Sequence, residues 1–350
     1  VLMIVHPKVV SDATLYAIDQ FILGGGRAAI FVDPHSEIDV PPQDPNNPAA
    51  MLQSRASNLK KLFDAWGIVF DENVFVADDR YALLVRGQGQ RDMRHLGLLG
   101  FLNESMGQGD VITADLNAIN TGYAGVFSLA EGAAVDLVPL ISSSDQAGLI
   151  GTDKARFMSD PQSLRRDFAP TGEPYAVAAR VQGAVTTAFP DGKPGAAPTT
   201  EEAPEPDDAA HLAESGEPVN LIVVGDTDML TDRYWVQVQP FFGQSIAQAF
   251  ANNGDFVFNA IDNLTGSSDL ISVRGRATFR RPFLRVEQLE RDADERFRLT
   301  EEKLQAELAQ TEQRLAELQQ SRDDDNTMIM SAAQRAEIDN FLNEKVRIRK

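Results

Sequence analysis

Two acids stand one residue apart in the stretch "LIVVGDTDML" (residues 221–230). Asp226 and Asp228 follow an apolar, β-branched run and a glycine, where a buried strand should end. Three kinds of chemistry fit that placement. An aspartate pair at a strand end can serve a metal-dependent hydrolase acting on phosphate or sugar groups, one carboxylate attacking and the other handling the proton. The same pair can cap a turn and satisfy exposed amides. Or it can line a ligand crevice without chemistry, because open α/β sheets bind ligands beyond the carboxyl ends of their strands. His6 and Asp33 also lie at such strand ends, so His6, Asp33, Asp226 and Asp228 together form the candidate crevice.

The hydrolase reading meets specific obstacles. Phosphatases of the haloacid-dehalogenase type present a D-x-D pair to a magnesium-bound phosphate, usually with Thr or Val two residues after the second Asp, where this chain has Leu230. Their pair belongs to an early strand, whereas this one is late. "GGGRAA" (24–29) spells a dinucleotide-binding turn, but it follows a helical pattern and precedes a strand, the reverse of the order that places a helix N-terminus on a pyrophosphate. No G-x-x-x-x-G-K-[ST] and no G-x-S-x-G occurs. The four histidines, His6, His35, His95 and His211, are not paired at helical spacing, and there is no cysteine. Thiol nucleophiles, disulfides and thiolate metal sites are therefore excluded, and the sequence implies neither a cofactor nor a metal.

These residues are carried by a chain of 350 residues, 43% hydrophobic and 24% charged, the balance of a soluble globular protein. Its formal charge of −20 argues against nucleic acid and against anionic lipid as partners. It opens inside an apolar run without an initiator methionine, which reads as an excised piece.

The elements that must position the acids follow from periodicity. Residues 1–5 and 28–34 are continuous apolar runs, expected as strands buried on both faces. Between them Ser11 can cap a helix bearing Leu15, Ile18, Phe21 and Ile22, stopped at Gly24. Strand, helix and strand in about thirty residues make a βαβ unit with parallel pairing. A second helix carries Leu59, Leu62, Phe63 and Trp66 and stops at Gly67, and 67–79 is strand-like. Residues 92–150 are expected to be β-rich, and 173–189 fit either strand or helix. Residues 190–218 hold six prolines and eight acids against one lysine, the composition of a mobile loop. Order resumes with the strand 219–226, and 250–266 reads as a helix ending at Gly266. From 283 the chain is rich in Glu, Gln, Arg and Leu, and Phe297, Leu304, Leu308, Leu315 and Leu318 follow coiled-coil spacing. A helical hairpin over 283–350 and an intermolecular coil, hence a homo-oligomer, both fit that pattern.

Taken in order, "VLMIVHPK", "LYAIDQFILGGGRAAIFVDP", "NLKKLFDAWGIVFDENVFVAD", "VPLISSSDQA", "YAVAARVQGAVTTAF", "VVGDTDML" and "NGDFVFNAIDNLTGSSDLISVRGR" resemble the Gld-type auxiliary component of ABC transport systems, a family named for gliding motility. The resemblance covers roughly residues 1–280. It implies an α/β domain, 1–282, of flavodoxin-like or class I glutamine-amidotransferase-like, doubly wound and mostly parallel type. It further implies a non-enzymatic accessory or scaffold role on the periplasmic face of the inner membrane, anchored by helices outside this chain. The implied partners are an ABC permease and its ATPase; a domain that binds a cell-envelope carbohydrate or peptide in the same crevice, without chemistry, is the rival reading. An amidotransferase needs a cysteine nucleophile, which this chain lacks.

Overall fold

A computed structural model describes residues 1–40, 53–86, 92–156, 160–195, 211–241 and 244–266, together with Lys303. The chain divides into two units, Val1–Thr278 and Phe279–Lys350. The expected coiled-coil hairpin over 283–350, with Phe297, Leu304, Leu308, Leu315 and Leu318, lies outside the described residues. Among the described residues no helix is long and apolar enough to cross a membrane.

The first unit begins as its sequence pattern requires. β1 (Leu2–Val5) leads into α1 (Asp12–Leu23), where Ser11 accepts the Thr14 amide at the helix start and Gly24 closes the end. β2 (Ala28–Phe31) follows, then α2 (Lys60–Trp66), which stops at Gly67 with φ 74°, the left-handed conformation that favours glycine. Next come β3 (Ile68–Phe70), β4 (Val74–Asp78), β5 (Ala82–Arg86), β6 (Asp92–Leu102), β7 (Ala118–Gly122), β8 (Phe127–Leu129), β9 (Val135–Ser142) and β10 (Ala147–Gly151). Two short helices, α3 (Thr152–Arg156) and α4 (Leu164–Asp167), precede β11 (Ala176–Gly183), so the ambiguous stretch 173–189 contains a strand. β12 (Val219–Val224), the hairpin β13 (Val236–Phe241) and β14 (Gln244–Ala249), and α5 (Asn253–Thr265) complete the described part.

The main sheet has seven strands in the order β1-β2-β12-β11-β8-β3, with β9 also paired to β11. Strict alternation divides its two faces. Ala28 and Ile30 of β2, with Leu221 and Val223 of β12, pack with Ile18, Ile22, Leu62, Phe63 and Trp66 from α1 and α2. Ala29 and Phe31, with Ile222 and Val224, pack with Phe256, Ala260 and Leu264 of α5. Strands buried on both faces need continuous apolar sequence, which is why these two runs carry no polar residue at their centres.

Two expectations need correction here. The sheet is not mostly parallel: β1, β2 and β12 run parallel, while β11, β8, β9 and β3 pair antiparallel. A parallel neighbour requires a crossover long enough to traverse the sheet, and the middle of the chain has only short helices. β1 is an edge strand with Met3 and Val5 exposed, not one buried on both faces; an apolar run cannot by itself distinguish edge from centre.

The flanks of the expected mobile loop 190–218 are also fixed. Gln20 on α1 donates to the Leu212 carbonyl (3.0 Å) and accepts the Leu212 amide (2.7 Å). His211 stacks on Tyr16, with ring centroids 5.8 Å apart. Composition argued for mobility, but these contacts span nearly two hundred residues of sequence and leave no local signature. Residues 196–210 lie outside the described residues.

Candidate functional site

Because β2 and β12 are parallel neighbours, with Phe31 opposite Val224, they deliver Asp33 and Asp226 to the same end of the sheet. There the two following loops hold each other. Asp33, after β2, accepts the amide (2.9 Å) and hydroxyl (2.7 Å) of Thr227, after β12. Asp228, after β12, accepts the Ser36 hydroxyl (2.7 Å) and the amides of Glu37 (2.5 Å) and Ile38 (3.3 Å), after β2. Asp226 accepts the amides of Asp228 (2.7 Å) and Met229 (3.3 Å), closing the turn, and that of Gly122 (2.7 Å) at the end of β7. Asp33 also accepts the His35 amide (2.8 Å). The result is a reciprocal clasp of three carboxylates.

The three carboxyl groups are buried, and one oxygen from each lies within 4.8 Å of the others. Among the described residues none makes an ion pair with Lys or Arg. Burial pushes all three pKa values up. The Asp228 charge adds to the effect at Asp33, and Asp33 and Asp228 add to it at Asp226. The amide and hydroxyl donors from Thr227, His35, Gly122, Ser36, Glu37 and Ile38, and from Asp228 to Asp226, oppose that rise without cancelling it.

This chemistry suits architecture better than catalysis. Asp226 has no exposed surface, and both its oxygens are committed to amides, so an attacking carboxylate has no approach to substrate. The same three groups are spaced to hold a cation. Yet each already accepts three protein donors, and a divalent ion would have to displace backbone amides from hard-oxygen ligands. The donor set fits a hydrogen-bonded clasp, not an open metal cradle.

A pH dependence follows, with a definite sign. Carboxyls whose pKa is raised on folding stabilise the fold fully below about 4, the ordinary carboxylate value, and that contribution is lost as pH rises through the raised values. The urea midpoint should therefore fall as pH rises above the ordinary carboxylate range, and Asp226→Asn should flatten the fall. An equally steep decline in the variant would show that other groups carry it.

His6 is not part of the clasp. It sits at the end of β1 with φ 51°, and its Nε2 lies 3.3 Å from Asp39, which Lys8 also contacts at 2.5 Å. It reaches the acids only indirectly: the Asp39 amide donates to Ser36, and Ser36 donates to Asp228. Of the four residues expected to converge, three do.

Several neighbours were not singled out by sequence. Glu37 accepts the Tyr234 hydroxyl (2.6 Å) and pairs with Arg233. Tyr123, at φ 52°, places its hydroxyl 3.2 Å from His95 Nε2, while His95 Nδ1 accepts the Gly97 amide (3.2 Å). A neutral His95 thus carries its hydrogen on Nε2 and donates it to Tyr123. Burial lowers the His95 pKa and raises those of Tyr123 and Tyr234. Histidine spacing along the chain could not reveal this group, because β6, the end of β7 and the loops after β2 and β12 assemble it.

Comparison with known proteins adds the remaining fact. No curated protein and no solved structure matches the chain significantly. One family matches residues 1–260, most of the chain and every element that builds the clasp. The chain therefore belongs to the family described as an ABC-type uncharacterized transport system.

Proposed function

We propose that the chain is a non-enzymatic accessory or scaffold subunit of an ABC-type transport complex, of the Gld type that also serves gliding motility. The observation that carries this reading is the family match over residues 1–260. The clasp supports it, since the acids best placed for chemistry are consumed in joining strand ends. In this reading the domain works on the periplasmic side, held by membrane helices outside residues 1–350, as part of a complex with the permease and its ATPase. The sheet, with helices on both faces, is read as a variant of the flavodoxin-like, amidotransferase-like architecture, and the C-terminal segment as the coil that spaces or pairs it.

The test uses the full-length parent, tagged and purified in mild detergent from native membranes, with co-purifying proteins identified by mass spectrometry. A permease and an ATPase in fixed proportion are the expected result. Recovery of neither, under conditions that preserve other membrane complexes, would overturn the proposal. A magnesium-dependent hydrolase activity abolished by Asp226→Asn in a still-folded protein would replace it.

A further inference from the structure

Among the described residues the main sheet stops at β1, whose outer edge has no partner strand. The amides of Leu2 and His6 donate inward, to the carbonyls of Arg27 (2.8 Å) and Phe31 (3.0 Å). By alternation the amides of Met3 and Val5 point outward. The face of β1 on the α5 side is bare as well. Met3 and Val5 lie there, because they stand beside Ala29 and Phe31 in the ladder, and they are 41% and 44% exposed. No charged residue and no proline interrupts β1, so it carries none of the devices that keep an open edge from pairing.

α5 makes that bare face one wall of a groove. Asn259, on one flank of the helix, donates to the Ile112 carbonyl (3.1 Å), in the loop that Asp110 ties to Arg180 of β11. Val257 and Ile261, half a helical turn away, therefore face the β1 side, with exposed Phe258 at their rim. The end of the helix is fixed too. Arg27 donates to the carbonyls of Leu264 (3.2 Å) and Gly266 (3.4 Å), so α5 finishes at the end of the sheet where β1 and β2 begin.

The direction of the chain beyond Gly266 follows from handedness. α1 joins β1 to β2 across one face of the sheet, and α5 follows β12 on the other. Crossovers between parallel strands share one hand in nearly all proteins, and two of the same hand on opposite faces travel in opposite directions. The connection from β12 through α5 thus runs back past β2, and the first open place it meets is the outer edge of β1.

We propose that residues 270–273, Leu-Ile-Ser-Val, occupy that edge as a further parallel strand. Their apolar and β-branched side chains suit a strand, and the first unit, which extends to Thr278, contains them. The three linking residues 267–269 reach about 10 Å when extended, two strand spacings of about 4.8 Å, which sets Leu270 level with Leu2. In that register Ile271 stands beside Met3 and Val273 beside Val5, and both enter the groove along α5. Ser272 stands beside Ile4 on the opposite face. The chain then returns to the end of the sheet where His6 and the clasp lie. The proposal rests on the first unit alone and is independent of the accessory role.

The test exploits the absence of cysteine, which lets a paired substitution report proximity without background. Met3→Cys with Ile271→Cys, oxidised in the 350-residue chain at low protein concentration, should form an intrachain disulfide located by peptide mass spectrometry. It should form at least ~10-fold faster than with Met3→Cys and Ser272→Cys, whose second side chain points to the other face. Hydrogen exchange of the unsubstituted chain gives a reading that no folding failure can spoil. The Met3 and Val5 amides should exchange at least ~100-fold more slowly than in an unstructured peptide. Ser272→Pro, which removes a ladder donor, should abolish that protection and leave the β2 amides unchanged. Disulfide-linked dimers in place of the intrachain product would assign the edge to a second copy and overturn the proposal. Equal rates for the two cysteine pairs, or unprotected Met3 and Val5 amides, would overturn it as well.

Discussion

Gly225→Ala is expected to destabilise the domain by about 3 kcal/mol, the upper part of the range for overpacking. A β-carbon at 225 would stand 2.3 Å from the Gly125 carbonyl oxygen and 2.8 Å from its carbon. Those atoms are backbone, so no side chain can swing aside to make room. Nor can the strands separate easily. The Gly225 amide donates to Val177 (2.9 Å), and the Gly225 carbonyl accepts the Gly125 amide (2.7 Å), so the end of β12 is held from both sides. Gly125 is itself close to the Phe70 ring and Pro34, which blocks retreat in that direction. Displacement here would also disturb Asp226, the next residue, and loosen the clasp. Urea unfolding of Gly225→Ala beside Gly109→Ala checks this, because a β-carbon at 109 meets nothing within 4 Å. The control should stay within about 0.5 kcal/mol of the parent, as surface substitutions do. Equal losses in the two variants would refute the close-approach account.

Removing one side of the Arg180–Asp110 pair should cost more. Arg180 projects from the centre of β11 and is 8% exposed. Its guanidinium donates to Asp110 through Nε (2.7 Å) and one terminal nitrogen (3.0 Å), and to Asn220 on β12 through the other (2.9 Å). This fork fastens the loop before β7 to the sheet. Asp110 also accepts the Ile112 amide (3.0 Å), which tightens the same loop. Asp110→Ala leaves a buried guanidinium without its counter-charge, and breaking such pairs typically costs 3–5 kcal/mol, so about 4 kcal/mol is expected. The pair itself need not be strongly stabilising, because both charges lose solvation on burial. Asp110→Leu combined with Arg180→Met should therefore recover most of the loss. Chemical denaturation of Asp110→Ala measures the first claim, and of Asp110→Leu, Arg180→Met and their double variant the second. A double variant as unstable as the sum of the singles would show that the pair is not coupled as the geometry requires.

What could be read directly from the sequence was local. Ser11 and Gly24 bound α1, Gly67 stops α2 and Gly266 ends α5, because capping and left-handed turns depend on a few adjacent residues. The continuous apolar runs of β2 and β12 mark strands covered on both sides. They also place Asp33 and Asp226 where those strands end. The order of such segments along the chain is itself enough to resemble a transport-associated family.

The tertiary structure decided everything that depends on which strands are neighbours. Periodicity measures how a segment alternates, not who lies beside it, so β1 at the edge and β2 inside both appear as apolar runs. The switch from parallel to antiparallel pairing beyond β12 rests on connections whose direction no ten-residue window records. The site shows the same limit most clearly. Asp33 and Thr227 are 194 residues apart, and Ser36 and Asp228 are 192 apart, yet the adjacency of β2 and β12 sets them within hydrogen-bond distance. His6 shares the strand-end position that recommended it, but the edge placement of β1 gives it Asp39 as a partner instead. Residue type and local spacing determined which groups had chemistry to offer; strand order determined that the acids would spend theirs on one another's loops.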